Sequence, residues 1–206
     1  MNSNRFRDLW VRCAAIDDAN WRSIYKEIEV RYNESHRFYH SSAHIDYCLK
    51  QMDAAPIESS DLGIVELAIW FHDVIFDIGA RDNESRSADW FASRARNCLG
   101  EDTISQVVQC ILSTTHKELP ADNYSKYVVD IDLSGLGQDW DGFVHDGGNI
   151  RKENRHLDMN DYVAGQIAFM EKLLSREQIY STEYFNSRLE ASARKNLKRQ
   201  LSIYYN

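Results

Sequence analysis

Five side chains in this sequence have the types and spacing that metal or acid-base chemistry needs: His40 and His44 in YHSSAHI, the adjacent His72 and Asp73 in WFHDVIFD, and Asp132 in DIDLSGLG. Each alone has an ordinary explanation, as a hydrogen-bonded histidine or a helix-end carboxylate. Together they ask for more. His72 and Asp73 fall inside an apolar run, where a buried carboxylate without a partner costs several kcal/mol or takes up a proton. A cation satisfies both. Neighbouring residues on a helix diverge by about 100°, so the pair reaches one ion only from a helix aimed at the site. Two nitrogens and two oxygens suit Mn, Fe, Ni, Co or Zn better than Ca or Mg, which prefer oxygen shells. Asp130 rivals Asp132 as the last ligand, since two residues apart on a helix they cannot both face one site.

Other positions carry two readings each. Arg37, Arg151 and Lys152 are candidate phosphate clamps, because guanidinium forks and ammonium groups complement phosphate, or they are surface charges. Glu84 either serves a helix start, with Asp82 or Asn83 as its N-cap, or accepts a hydrogen bond from a ligand histidine. His116, just past a helix in LSTTHK, either contacts substrate phosphate or a second ion, or is solvent exposed. Trp70, Phe71, Phe76 and Trp90 suit base stacking and core packing equally.

The elements that must position these residues are helical. The two prolines, Pro56 and Pro120, lie between segments whose apolar residues recur every three or four positions. Trp21, Ile24, Tyr25, Ile28 and Tyr32 form one stripe; Ala43, Tyr47 and Met52 belong to a second helix, capped by Ser41 or Ser42. Asp61 to Asp77 is apolar nearly all round, as a central helix would be. Asn83 to Leu99 and Glu101 to Thr114 predict two helices, the first ended by Gly100 in a left-handed turn. His116 to Ser125 is a polar loop, and Tyr127 to Leu136 is a short helix or a strand. VHDGGNIRKENRH is the least periodic stretch, whereas Asp161 to Leu174 and Tyr184 to Tyr204 predict long amphipathic helices.

At 206 residues the chain suits one all-α domain spanning 1–206, and 43% hydrophobic content with 27% charge is that of a globular chain. A net charge of −8 argues against nucleic acid as a partner, and Arg194, Lys195, Lys198 and Arg199 are expected on the solvated face of a terminal helix. Cys13, Cys48, Cys98 and Cys110 form no CxxC pair, and no leader or membrane span is visible, which together predict a cytoplasmic protein with free thiols. The oligomeric state is left open.

On RFYHSSAHI, ELAIWFHDVIFD, DNESRSA and DIDLSGLG the chain resembles the HD-domain metal-dependent phosphohydrolases, above all the small bacterial members, over nearly its full length. Cyclic-nucleotide phosphodiesterases resemble it more distantly, through Tyr39-His40, His44, His72-Asp73 and Asp132-Leu133-Ser134. The resemblance implies a phosphodiesterase-like helical bundle, with His44, His72, Asp73 and Asp132 as ligands of one divalent transition metal. It favours Asp132 over Asp130, and it casts His40 as the group that protonates the leaving oxygen. Asp77 resembles an acidic residue placed near the attacking water in guanosine-tetraphosphate hydrolases, although those have Glu-Asp where this chain has Phe76-Asp77. No GYP element is present, so a dinuclear cyclic-dinucleotide site is not implied. The expected activity is hydrolysis of a phosphomonoester or phosphodiester of a nucleotide or similar small metabolite, by water that a metal acidifies. The alternative is a silent module that binds a nucleotide through the same cation.

Overall fold

A computed structural model describes residues 1–14 and 20–205 and is all-helical, with ten α-helices and one 3₁₀ turn among the described residues. The helices are α1 (Ser3–Cys13), α2 (Trp21–Tyr32), α3 (Ser42–Ala54), α4 (Leu62–Phe71), α5 (Asn83–Ala95), α6 (Glu101–Ser113) and α7 (Asn123–Asp132). The 3₁₀ turn Leu133–Gly137 follows, then α8 (Trp140–Glu153), α9 (Met159–Leu174) and α10 (Glu183–Tyr204). Among the described residues no helix is long and apolar enough to cross a membrane.

The central position belongs to α4, as its all-round apolarity requires: Val65 to Phe71 are buried without a break, and α1, α3, α5, α6 and α7 pack around it. Phe6 and Trp10 of α1 and Tyr25 of α2 meet Trp70 and Phe71 in an aromatic cluster that Trp90 and Phe91 extend from α5. Trp70, Phe71 and Trp90 therefore serve the core. The buried apolar residues form one connected cluster running from Phe6 to Leu201.

Several helix boundaries follow from side-chain caps. Asn2, Asp122, Asp139, Asp158 and Thr182 each accept a first-turn N–H, satisfying donors that no helical carbonyl can reach. Ser41 occupies the N-cap of α3 without a side-chain bond. The central helix stops at Phe71 instead of continuing to Asp77, because side chains claim its next backbone groups. Arg37 donates to the carbonyls of Asp73 and Val74, while the Ser87 hydroxyl accepts from Ile75 N and donates to Ile75 O. Gly100 is not a left-handed terminator; it has φ −66° and opens α6 as its N-cap.

The least periodic stretch lies mostly in helix α8, whose pattern is diluted by Gly147 and Gly148, and Tyr127 to Leu136 takes the helical of its two readings, as the end of α7 followed by the 3₁₀ turn. Of the basic residues of α10, Lys195, Lys198 and Arg199 are exposed as expected, and Arg194 is half-buried. Arg194 reaches Glu190 and the carbonyls of Leu174, Arg176 and Glu177, and Arg199 lies 3.8 Å over the Trp140 ring. They clamp α10 to the preceding connection and to α8.

Candidate metal centre

Three helices deliver the cluster, each from one end. His44 lies in the first turn of α3, His72 caps the C-terminus of α4 with Asp73 following, and Asp132 is the last residue of α7. Helix C-termini carry partial negative charge, so two of the three helices contribute a field that favours a cation. Leaving the helix at Phe71 is what lets His72 and Asp73 face the same point.

The donor atoms converge. His44 Nε2 lies 3.3 Å from His72 Nε2, 3.1 Å from Asp132 Oδ1 and 3.9 Å from Asp73 Oδ2. His72 Nε2 lies 3.1 Å from Asp73 Oδ2 and 3.6 Å from Asp132 Oδ1. Ligands about 2.1 Å from one ion stand about 3.0 Å apart at right angles and about 3.4 Å apart in a tetrahedron, so the separations among His44, His72 and Asp132 are near those of donors that share an ion, while Asp73 Oδ2, 3.9 Å from His44 Nε2, stands wider. Among the described residues His44, His72 and Asp132 form a group, with ligand atoms within 4.8 Å of one another, that could hold a metal ion. Nδ1 of His72 bonds the Ile69 carbonyl at 3.0 Å; in the neutral ring, the form that binds a metal, the proton sits there and Nε2 is the nitrogen that faces the cluster.

The imidazoles and carboxylates of the cluster act on one another electrostatically. Burial pulls His72 down, yet the carboxylates of Asp73 and Asp132 hold it well above its ordinary pKa. Burial pushes Asp73 and Asp132 up, yet their histidine neighbours hold both below the usual carboxylate range: His72 and His40 for Asp73, and His116, His44 and His72 for Asp132.

His116 belongs to this centre and is not solvent exposed. Its Nε2 lies 3.0 Å from Asp132 Oδ2, so it fixes the carboxylate with Oδ1 turned towards His44 and His72. The backbone there adopts φ +52°, uncommon for a residue with a side chain, and Lys172 and Arg176 hold its carbonyl. Asp130 faces elsewhere: it accepts from Ser181 N, Thr182 N and the Thr182 hydroxyl at the start of α10.

His40 sits beside the cluster. Its Nδ1 is 2.7 Å from Glu153 Oε2, and its ring stacks on Phe76 at 4.3 Å, which leaves Nε2 as the free nitrogen. Glu153 is fully buried, and its other oxygen accepts the N–H groups of Phe38, Tyr39 and His40. Burial lowers the pKa of His40, but Asp73 and Glu153 more than offset it and hold it above its ordinary value. Glu153 was missed in the sequence. Its signal was a charge three residues after Ile150 and ten after Phe143, on the inward face of a helix that the glycines disguised.

Other predicted residues lie in different surroundings. Arg37 is no phosphate clamp: its guanidinium is spent on Glu34 and on the carbonyls of His40, Asp73 and Val74, so it braces both halves of the site from behind. Asp77 is drawn to the surface by Arg86, 2.6 Å away, and does not border the cavity. Glu84 and Arg151 do border it, but Arg151 donates to the carbonyls of Asn154 and Leu157 and stacks on Tyr162. Lys152 bonds Asn149 and lies near the Phe38 ring, away from the cavity.

The cavity itself has a volume of about 620 Å³; His40, Asp73, His116 and Asp132 form its polar end, and α8, α9 and α10 wall the rest. Comparison of the chain with protein-family models, with curated proteins and with solved structures returned no match.

Proposed function

We propose that this protein hydrolyses phosphate esters with the aid of one divalent transition metal held by His44, His72, Asp73 and Asp132, as the HD-type pattern of its sequence suggests. The observation that carries the reading is the convergence of those donors at the end of a cavity that also holds His40, anchored by Glu153. Bound there, a divalent ion supplies a Lewis acid for the phosphoryl oxygen and for water.

The residues of the chain supply the rest. Glu153 and Phe76 fix the His40 ring, and the nearby carboxylates of Asp73 and Glu153 shift its pKa upward, which favours the protonated form a general acid needs. As the water oxygen bonds to phosphorus and the bond to the ester oxygen breaks, His40 gives its proton to that leaving oxygen. It regains one from the water through solvent, so the two water hydrogens end on the alcohol and the phosphate. No protein nucleophile is required.

The test is a panel of phosphomonoesters and phosphodiesters, assayed with protein loaded in turn with Mn, Fe, Co, Ni or Zn. Release of phosphate or of a monoester, reduced about 100-fold or more in His40→Ala with metal content retained, is the expected result. A metal-loaded wild type that cleaves no member of the panel contradicts the reading.

A further inference from the structure

The cavity beyond the metal cluster has a composition of its own. Leu136, Val144, Ile150, Met159, Phe169 and Leu197 line it, and two of these, Val144 and Met159, are 45% and 58% exposed. Large apolar side chains left exposed around one cavity mark a place where apolar surface is to be covered. Gly147 and Gly148 border the same space from the middle of α8; a Cβ built on either would meet no atom within 4 Å. Glycine inside a helix weakens it, so two in succession on this wall give up stability for room.

The charges point the same way. Arg151 is the one Lys or Arg among the described lining residues, and its guanidinium is already taken by two backbone carbonyls and the Tyr162 ring. Glu84 and Asp146 add negative charge to the walls. A chain of phosphates extending from the cluster would meet carboxylates and apolar groups, with no cation free to receive it.

We propose that the ligand is a monophosphate ester of a largely apolar alcohol, its phosphate at the His44, His72, Asp73 and Asp132 cluster and its organic group among α8, α9 and α10; nucleoside di- and triphosphates are excluded. The position of the phosphate rests on the hydrolase reading above. Binding tests the class without turnover. Methyl-, butyl-, hexyl- and octylphosphonate are titrated calorimetrically into Mn-loaded protein, and kcat/KM is compared for hexyl phosphate and ATP.

Affinity should climb roughly two- to fourfold per methylene, as burial of each CH₂ implies, and hexyl phosphate should be the better substrate. Gly147→Leu, which fills the wall, should flatten the gain with chain length. A series that stays flat in the wild type, or ATP cleaved more efficiently than hexyl phosphate, overturns the inference and leaves the hydrolase reading standing. A graded phosphonate series with no ester cleaved does the reverse: it supports the ligand class and sinks the hydrolase reading.

Discussion

Glu153 and Arg37 show how single buried side chains set the chemistry of their neighbours. Glu153 raises the pKa of His40 through a 2.7 Å contact. A general acid works only while protonated, so activity falls as pH rises through its pKa. Glu153→Gln weakens that support and should move the alkaline limb of the kcat profile to lower pH, with kcat reduced more than KM; an unmoved limb would contradict this role. Its own pKa is lowered, against burial, by His40 and the N–H groups of Phe38 and His40. A depressed carboxyl stabilises the fold above its unfolded value and loses that contribution as pH falls through the folded one. Thermal stability should therefore drop below the ordinary glutamate value of 4.5, and less steeply in Glu153→Gln. Arg37 separates bracing from substrate binding: Arg37→Ala should lower stability by about 3 kcal/mol, since it strands three carbonyls and Glu34. Unchanged melting with only a raised KM would restore it as a phosphate clamp.

Elements were legible in the sequence wherever one periodicity ran unbroken. The stripe from Ile24 to Tyr32 and the long α9 and α10 were of that kind. The reading failed where tertiary partners decided the backbone. The run to Asp77 is apolar enough for helix, yet Arg37 and Ser87, distant in sequence, take its hydrogen bonds. In α8, glycines that open a cavity erased the pattern that would have revealed Glu153. The candidate positions His40, His44, His72, Asp73 and Asp132 were visible as imidazoles and carboxylates in or beside apolar runs, and the resemblance suggested their roles. The role of His116 was hidden because a left-handed backbone and its partners on α9 and the following connection turn it inward. At the turn between α7 and α8, a Cβ on Gly137 would lie 2.7 Å from Leu189 Cβ of α10. Gly137→Ala should therefore destabilise by about 1–3 kcal/mol, whereas Gly148→Ala, in open space, should stabilise α8 by roughly 0.5–1 kcal/mol. Thermal melts of the two variants check the contrast, and equal shifts would contradict it.

At the scale of the whole molecule, α3, α4 and α7 are held around one point by the core, and a cation bound at that point would tie three chain segments together. An ion that binds only the folded state adds about 2.7 kcal/mol of stability at a hundred times its Kd. Metal addition should raise the melting temperature of the wild type and leave His72→Ala unmoved. The most direct test of the centre is elemental analysis of protein purified without chelator or a metal-binding tag, beside folded His72→Ala and Asp73→Ala variants. About one transition metal per chain in the wild type, lost from both variants, is the result this account predicts. A wild type that is metal-free and takes up none of Mn, Fe, Co, Ni or Zn would contradict it and leave the cluster as histidines and carboxylates that bind only one another.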